Sequence, residues 1–255
     1  MGSKLFGVIP RKTIDDPNAA ENRIEDDRFL RHIYIYQLKI IQDISNQSRA
    51  HGHILEIGAA GGITKLVWPD VITTDVREAE GIDKVMSAES LEFGDESLKC
   101  VFGMDALHHV RDPETHFREV NRCLKKGGVA VYIEPNWNLF SKFSFGIALK
   151  YLHPEPYNLK SNGWKLLGDD PMMGNQAQGH NIFVRDESVF KEKFPRLKIE
   201  VLQPVKGLSF LLSGGVHTRL PIPSRLLLPI FNFESKSNKW MHKFGLGRVI
   251  KVTKE

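Results

Sequence analysis

The stretch Ile54-Leu55-Glu56-Ile57-Gly58-Ala59-Ala60-Gly61-Gly62-Ile63 constrains the chain more than any other. An apolar run of strand character ends in an acid, one more apolar residue and a cluster of glycines. Glycine lets the backbone turn tightly and approach a ligand where a side chain would intrude. After a parallel strand, such a turn lies at the carboxyl edge of an open α/β sheet, where nucleotide-like ligands bind. The same stretch also suits an ordinary turn between a strand and a helix. It is not the dinucleotide fingerprint, because Ala60 stands where Gly-x-Gly-x-x-Gly needs a glycine. Glu56 places a carboxylate at the strand end, which repels a pyrophosphate and suits a cationic or hydroxyl-rich ligand.

Periodicity extends this into an alternating pattern. Leu30, Ile33, Tyr34, Leu38, Ile41 and Ile44 recur at helical spacing and predict a lead-in helix. His53–Ile57 reads as the first strand, and Gly61 to about Val67 as a short helix stopped by Pro69. The β-branched run Val71–Thr74 reads as the second strand, ending at Asp75. A carboxylate there can accept from two vicinal hydroxyls, as a ribose site requires. Lys84–Met86 and Lys99–Met104 read as the third and fourth strands. Asp112 and Pro113 open a helix as N-cap and first residue, with Phe117, Val120 and Leu124 inward and Gly127-Gly128 at its end. Val129–Ile133 is the fifth strand, followed by Glu134. Further on, Asp186 caps a helix with Val189 and Phe190 inward, and Ile199–Gln203 is a sixth strand. Gly247–Thr253 is a last, antiparallel strand at or near the edge. The pattern predicts an α/β fold with a mostly parallel sheet. It divides one domain into a leading segment over 1–52, a core over 53–136, and two insertions with the remaining strands over 137–255.

These motifs resemble the class I SAM-dependent methyltransferases, in particular the type 11-like branch. Glu56 to Gly62 is similar to Glu/Asp-x-Gly-x-Gly-x-Gly, with Ala60 in place of the second glycine. Ser87-Ala88-Glu89-Ser90-Leu91-Glu92-Phe93 is similar to Asp-Ala-x-x-Leu-Pro-Phe, with Ser87 in place of the acid and Glu92 in place of the proline. Leu107-His108-His109-Val110-Arg111-Asp112 is similar to Leu-His-His-(x)-x-Asp. S-adenosylmethionine carries a sulfonium, an ammonium and a ribose but no phosphate, which agrees with the acids Glu56 and Asp75. The resemblance implies a Rossmann-like, mostly parallel seven-stranded sheet with an antiparallel last strand and insertions in the C-terminal half. It implies S-adenosylmethionine as cofactor, held by Glu56, Gly58, Ala59, Gly61, Asp75, Val76, Ser87, Ala88, Glu89, Met104 and Asp105. The C-terminal half resembles a bacterial branch associated with cell-surface polysaccharide synthesis. The carrying residues are His153-Pro154-Glu155-Pro156, Asn175 with Ala177, Phe183-Val184-Arg185-Asp186 and Leu212-Ser213-Gly214-Gly215. That implies a sugar or glycan acceptor.

Methyl transfer to oxygen needs the nucleophile aligned with the methyl group and its proton removed. Histidine suits that task near neutral pH. His108, with His109 beside it, follows the fourth strand and is the first candidate base; orienting the cofactor loop is the other role open to it. His180 is the second candidate. It lies in the aromatic- and proline-rich stretch 137–184, which is expected to roof the strand ends. No ligand spacing supports a metal. Two alternatives stay open. One is an aromatic or lipid-linked acceptor, reached through the apolar, proline-broken Leu220–Phe233, Trp240 and the basic residues Lys236, Lys239, Lys243, Arg248, Lys251 and Lys254. The other is a non-catalytic module that keeps the fold, which the departures at Ala60, Ser87 and Lys99 allow.

Composition narrows the classes further. A hydrophobic content of 41% supports a real core, and a net charge of +4 is far from the basic stripe of a nucleic-acid binder. The two cysteines, Cys100 and Cys123, lack metal-ligand spacing and read as buried apolar residues in a reducing compartment. No apolar run approaches the ~20 residues of a membrane span, and no signal-peptide pattern opens the chain. The expectation is a cytoplasmic enzyme acting on a small-molecule or glycan acceptor, with peripheral contact at the inner membrane face left open.

Overall fold

The computed structural model describes residues 24, 26–61, 63–144, 157–168, 173–216 and 222–255. The segments His153-Pro154-Glu155-Pro156 and Asp170-Pro171-Met172 lie outside them, as does Leu220. The lead-in helix α1 (Arg28–Gln47) opens on Asp27, whose carboxylate accepts from the N–H of Phe29 at 2.9 Å and of Leu30 at 3.1 Å. Such a cap satisfies amides that the first helical turn leaves without partners. Its buried stripe contains Leu30, Ile33, Tyr34, Leu38, Ile41 and Ile44, as the periodicity predicts.

Strands β1 (His53–Ile57), β2 (Ile72–Asp75), β3 (Lys84–Val85), β4 (Leu98–Met104), β5 (Leu124–Pro135), β6 (Leu197–Val205) and β7 (Gly247–Lys254) form one seven-stranded sheet. The order is β3-β2-β1-β4-β5-β7-β6. The first five strands are parallel, and β7 enters antiparallel between β5 and β6. The last strand therefore lies one place in from the edge, and β6 takes the edge. The chain turns from one flank to the other between β1 and β4, which opens a crevice outside their carboxyl ends. The helices are α2 (Pro113–Cys123), α3 (Leu139–Phe143), α4 (Gln178–His180), α5 (Glu187–Lys193), α6 (Leu208–Ser213), α7 (Ser224–Lys236) and α8 (Asn238–Phe244).

Central parallel strands are covered on both faces, so their sequences are continuously apolar. On one face Leu55, Ile57, Val101 and Tyr132 pack with Phe117, Phe183 and Phe190. On the other, Cys100, Phe102, Val129 and Val131 pack with Leu38 and Ile41 of α1. Each large apolar side chain so buried contributes about 1.5–3 kcal/mol. These two layers fix the strand ends on which the site is built. No helix among the described residues is long and apolar enough to cross a membrane.

Several local expectations are corrected. Helix α2 ends at Cys123, not at Gly127-Gly128, and Leu124 passes directly into β5. The glycines instead serve a register shift between β4 and β5, where a Cβ on Gly128 would lie 2.8 Å from the Lys125 carbonyl oxygen. Asp186 holds the N-cap position of α5 as expected, but its side chain makes no capping bond: its carboxylate accepts from Trp164 Nε1 at 2.9 Å and from Arg185. Phe190 is buried, but Val189 is exposed, because the short helix turns only one narrow face to the core. The helix after β1 is a single tight turn, Ile63–Leu66. Pro229 sits inside α7 without ending it, since Leu227 and Phe231 on either side both pack against Phe29 and Ile33.

Candidate functional site

Glu56 ends β1 as a buried acid, and its Oε2 has no hydrogen-bond partner among the described residues. Burial pushes its carboxyl up to about 8. A buried acceptor without a partner is costly, and a cation brought to it would restore the carboxylate. Gly58 follows with φ +63°, and a Cβ there would come within 2.7 Å of the Ala106 Cβ. The loops after β1 and β4 therefore touch, and only glycine fits between them. Ala60 adopts φ +53°, a left-handed conformation that glycine fills without strain.

Asp75, at the end of β2, is buried beside this loop. Its Oδ2 accepts from the Ala60 N–H at 3.1 Å, and its Oδ1 accepts from the Arg77 N–H at 3.0 Å. The carboxylate thus fastens the glycine loop to β2, and its two oxygens still have lone pairs for further donors. Val76 is exposed next to it. Ser87 Oγ accepts from the Glu89 N–H at 3.2 Å, and Glu89 Oε1 accepts from the Asp112 N–H at 2.9 Å. That acid ties the loop to the start of α2. The Ala88 carbonyl accepts from His116 Nδ1, and His116 Nε2 accepts from the Tyr132 hydroxyl, each at 2.8 Å. Burial pushes the His116 pKa down to about 4, so it stays neutral. His116 escapes a sequence reading because it sits beside Phe117 in an ordinary helical stripe.

The second half of the edge is built from β4, β5 and the roof. Glu134, at the end of β5, is fully buried. Its Oε1 accepts from the N–H of Ala106 at 3.2 Å and of Leu107 at 2.8 Å, and its Oε2 lies 2.8 Å from His108 Nδ1. His108 Nε2 lies 3.3 Å from Gln176 Nε2. Since that amide nitrogen can only donate, the imidazole proton sits on Nδ1 and Nε2 is the acceptor. A carboxylate behind an imidazole holds this tautomer and stabilises the protonated ring that forms when Nε2 takes a proton. His109 is half-buried, with its ring 4.3 Å from that of His108. His180 is half-buried in the roof; burial, reinforced by Arg248, Arg185 and Lys142, pushes its pKa down. Its neighbour Gly179 packs directly on Glu134. Of the three candidate histidines, His108 is the one hydrogen-bonded to Glu134; His109 lies against His108, and His180 follows Gly179 in the roof.

Asp105 and Lys206 form an ion pair on the α1 side of the same edge, both in left-handed backbone conformations. Lys206 Nζ lies 5.8 Å from the Tyr34 ring centroid and 5.3 Å from that of Phe210. Met104 packs against Tyr34 and Ile63 nearby. Among the described residues, no group of three or more His, Cys, Asp or Glu side chains converges as a metal site. A groove of about 920 Å³ lies along Asp112, Arg118, Ser161, Trp164 and Arg185, and none of the expected site residues lines it.

Residues 56–132 match the family model described as Methyltransferase domain. A SAM-dependent methyltransferase of Thermotoga maritima, described as a possible histamine N-methyltransferase, superposes with a TM-score of 0.54 at 16% identity, over 93% of this chain and 95% of its own. The fold is a methyltransferase fold. The YcgJ protein of Bacillus subtilis superposes with a TM-score of 0.50 at 18% identity, over 86% of this chain and 98% of its own. No curated protein matches the sequence. The methyltransferase match runs from Glu56 to Tyr132. It takes in the glycine loop, Asp75, the Ser87–Glu89 loop and His108, and stops short of Glu134 and the roof.

Proposed function

We propose that the protein is an S-adenosylmethionine-dependent methyltransferase that methylates a hydroxyl of a sugar or glycan. The single observation that carries this reading is the buried Glu134–His108 pair beside the Gly58 loop. It sets a proton acceptor and an acid-lined nucleoside site on one sheet edge. The cofactor supplies a methyl group on a sulfonium, an electrophile that needs no further activation. The chain fits that cofactor at the Glu56 oxygen without a partner and in the glycine cradle at Gly58. Glu56 faces the ammonium, Asp75 the ribose hydroxyls, and the Ser87–Glu89 loop, braced through Ala88 by His116, the adenine. Once the Gln176 amide gives way to the acceptor hydroxyl, His108 Nε2 takes its proton, and Glu134 stabilises the charge that forms. Trp137 and Tyr157 stack 4.4 Å apart in the roof, an aromatic pair of the kind that borders sugar sites. The resemblance of the C-terminal half to the polysaccharide-associated branch points the same way.

Calorimetry with S-adenosylhomocysteine, followed by transfer of labelled methyl groups to a panel of sugars and glycans, tests the reading. Binding in the micromolar range with label on a sugar oxygen is the expected result. No binding at millimolar S-adenosylhomocysteine overturns it.

A further inference from the structure

Arg248 is the second residue of β7, and because β7 runs antiparallel, its first residues lie at the carboxyl ends of β4 and β5. Arg248 pairs in register with Glu134 across the β5–β7 ladder. An acid directly opposite an arginine would ordinarily form an ion pair with it. Here it does not, because both Glu134 oxygens are already engaged by His108 and the Ala106 and Leu107 amides. Arg248 Nε is buried without a hydrogen-bond partner among the described residues. Burial pushes its pKa down, and the other group acting on it is the Tyr157 phenol rather than a carboxylate. The charges of Lys142 and Arg248 both reach His180, and Lys142 Nζ lies 5.1 Å from the Trp137 ring centroid.

Four cations along the open groove near Trp164 are different. Arg118, Lys165, Arg185 and Lys193 each face an acid, Glu114, Asp112, Asp186 and Glu114 respectively. A half-buried arginine with no carboxylate partner among the described residues is an arrangement suited to an anion.

Resting on the methyl-transfer reading, we propose that Arg248, with Lys142 and His180, binds an anionic group of the acceptor, a carboxylate or a phosphate. The register Glu134–Arg248 sets this group on the same strand pair as the acid behind His108, so that the anion orients the acceptor at that edge. Recognition by charge here, opposite in sign to the acids at Glu56 and Asp75, also keeps cofactor and acceptor from exchanging places.

Calorimetry of the whole chain with glucose, glucuronate and glucose 1-phosphate tests this in the presence of S-adenosylhomocysteine and again without it. At least one charged sugar is expected to bind about tenfold or more tightly than glucose, and to lose that advantage in Arg248→Met with S-adenosylhomocysteine affinity unchanged. Glucuronate and glucose 1-phosphate separate a carboxylate from a phosphate preference. Equal binding of charged and neutral sugars, or an undiminished advantage in Arg248→Met, overturns the anion site. Should Arg248→Met not fold, the His180 ring resonances of the wild-type chain give a second measurement. Saturation with the charged sugar is expected to raise the His180 titration midpoint, and an unmoved midpoint overturns the proposal. Failure of S-adenosylhomocysteine to bind, with the charged-sugar preference intact, removes the methyl-transfer reading and leaves the anion site standing.

Discussion

The half of the carboxyl edge assigned to the cofactor and the half assigned to the acceptor are made in different ways. The first comes from β1, β2 and the loops that follow them, neighbours in the sheet with few residues between them. Its polar groups are acids, Glu56 and Asp75, both buried. The second draws His108, Glu134, Gln176, His180 and Arg248 from widely separated parts of the chain. It sets a hydrogen-bonded histidine on the same edge as a cation, Arg248, that no acid answers among the described residues. The contrast teaches that the edge proposed for the cofactor is built from strands adjacent in sequence, whereas the edge proposed for the acceptor is assembled from distant strands.

The comparison can be broken most sharply at His108. His108→Ala is expected to lower turnover by about 10²–10⁴-fold and to spare S-adenosylhomocysteine affinity, read by steady-state kinetics and calorimetry. Full activity would remove it as the base. Asp75→Ala should do the converse, weakening cofactor affinity at least about tenfold, the loss typical of a charge-assisted hydrogen bond. Unchanged affinity would separate Asp75 from the ribose.

The buried acid of the first half also gives a pH signature. Glu56 keeps a proton in the folded state up to about pH 8 that the unfolded chain loses near 4.5, so its contribution to stability falls as pH rises through that window. His116 refuses a proton down to about 4 that the unfolded chain takes up near 6.5, so its contribution is complete above 6.5 and is lost as pH falls to 4. The two oppose each other between 4.5 and 6.5, and from 6.5 to 8 Glu56 acts alone. Denaturant titrations should show stability declining above pH 6.5 by about 1.4 kcal/mol per unit. Glu56→Gln should abolish that decline and uncover the rise due to His116 below it. A decline that persists in the variant would show that another group causes it. The smallest effect is expected at Ala60→Gly. This relieves a left-handed alanine and should change stability by no more than about 1 kcal/mol, the strain relief being offset by the freer unfolded backbone. A larger loss would mean that the alanine methyl packs where a glycine leaves a gap.

Much of the first half is legible in the sequence, and little of the second. Leu30, Ile33 and Leu38 give α1, and the run from Ile54 to Gly61 gives β1 and its turn, because amphipathic period and glycine conformation are local properties. Gly127-Gly128 misleads for the same reason: a glycine pair after a helical stripe looks like a helix end until β5 is seen to close on β4 at that point. Glu89 looks free to meet a cofactor until its carboxylate is found on the Asp112 amide.

The sequence by itself determined the alternation of strands and helices, the glycine turn at Gly58 and the acids at Glu56 and Asp75. The tertiary structure decided that Glu134 stands behind His108, that His116 braces Ala88, and that Arg248 pairs in register with Glu134 without an acid partner among the described residues. The reason lies in the antiparallel entry of β7 beside β5. It brings the beginning of the last strand to the carboxyl edge, a placement set by which strands pair and not by any residue's immediate neighbours.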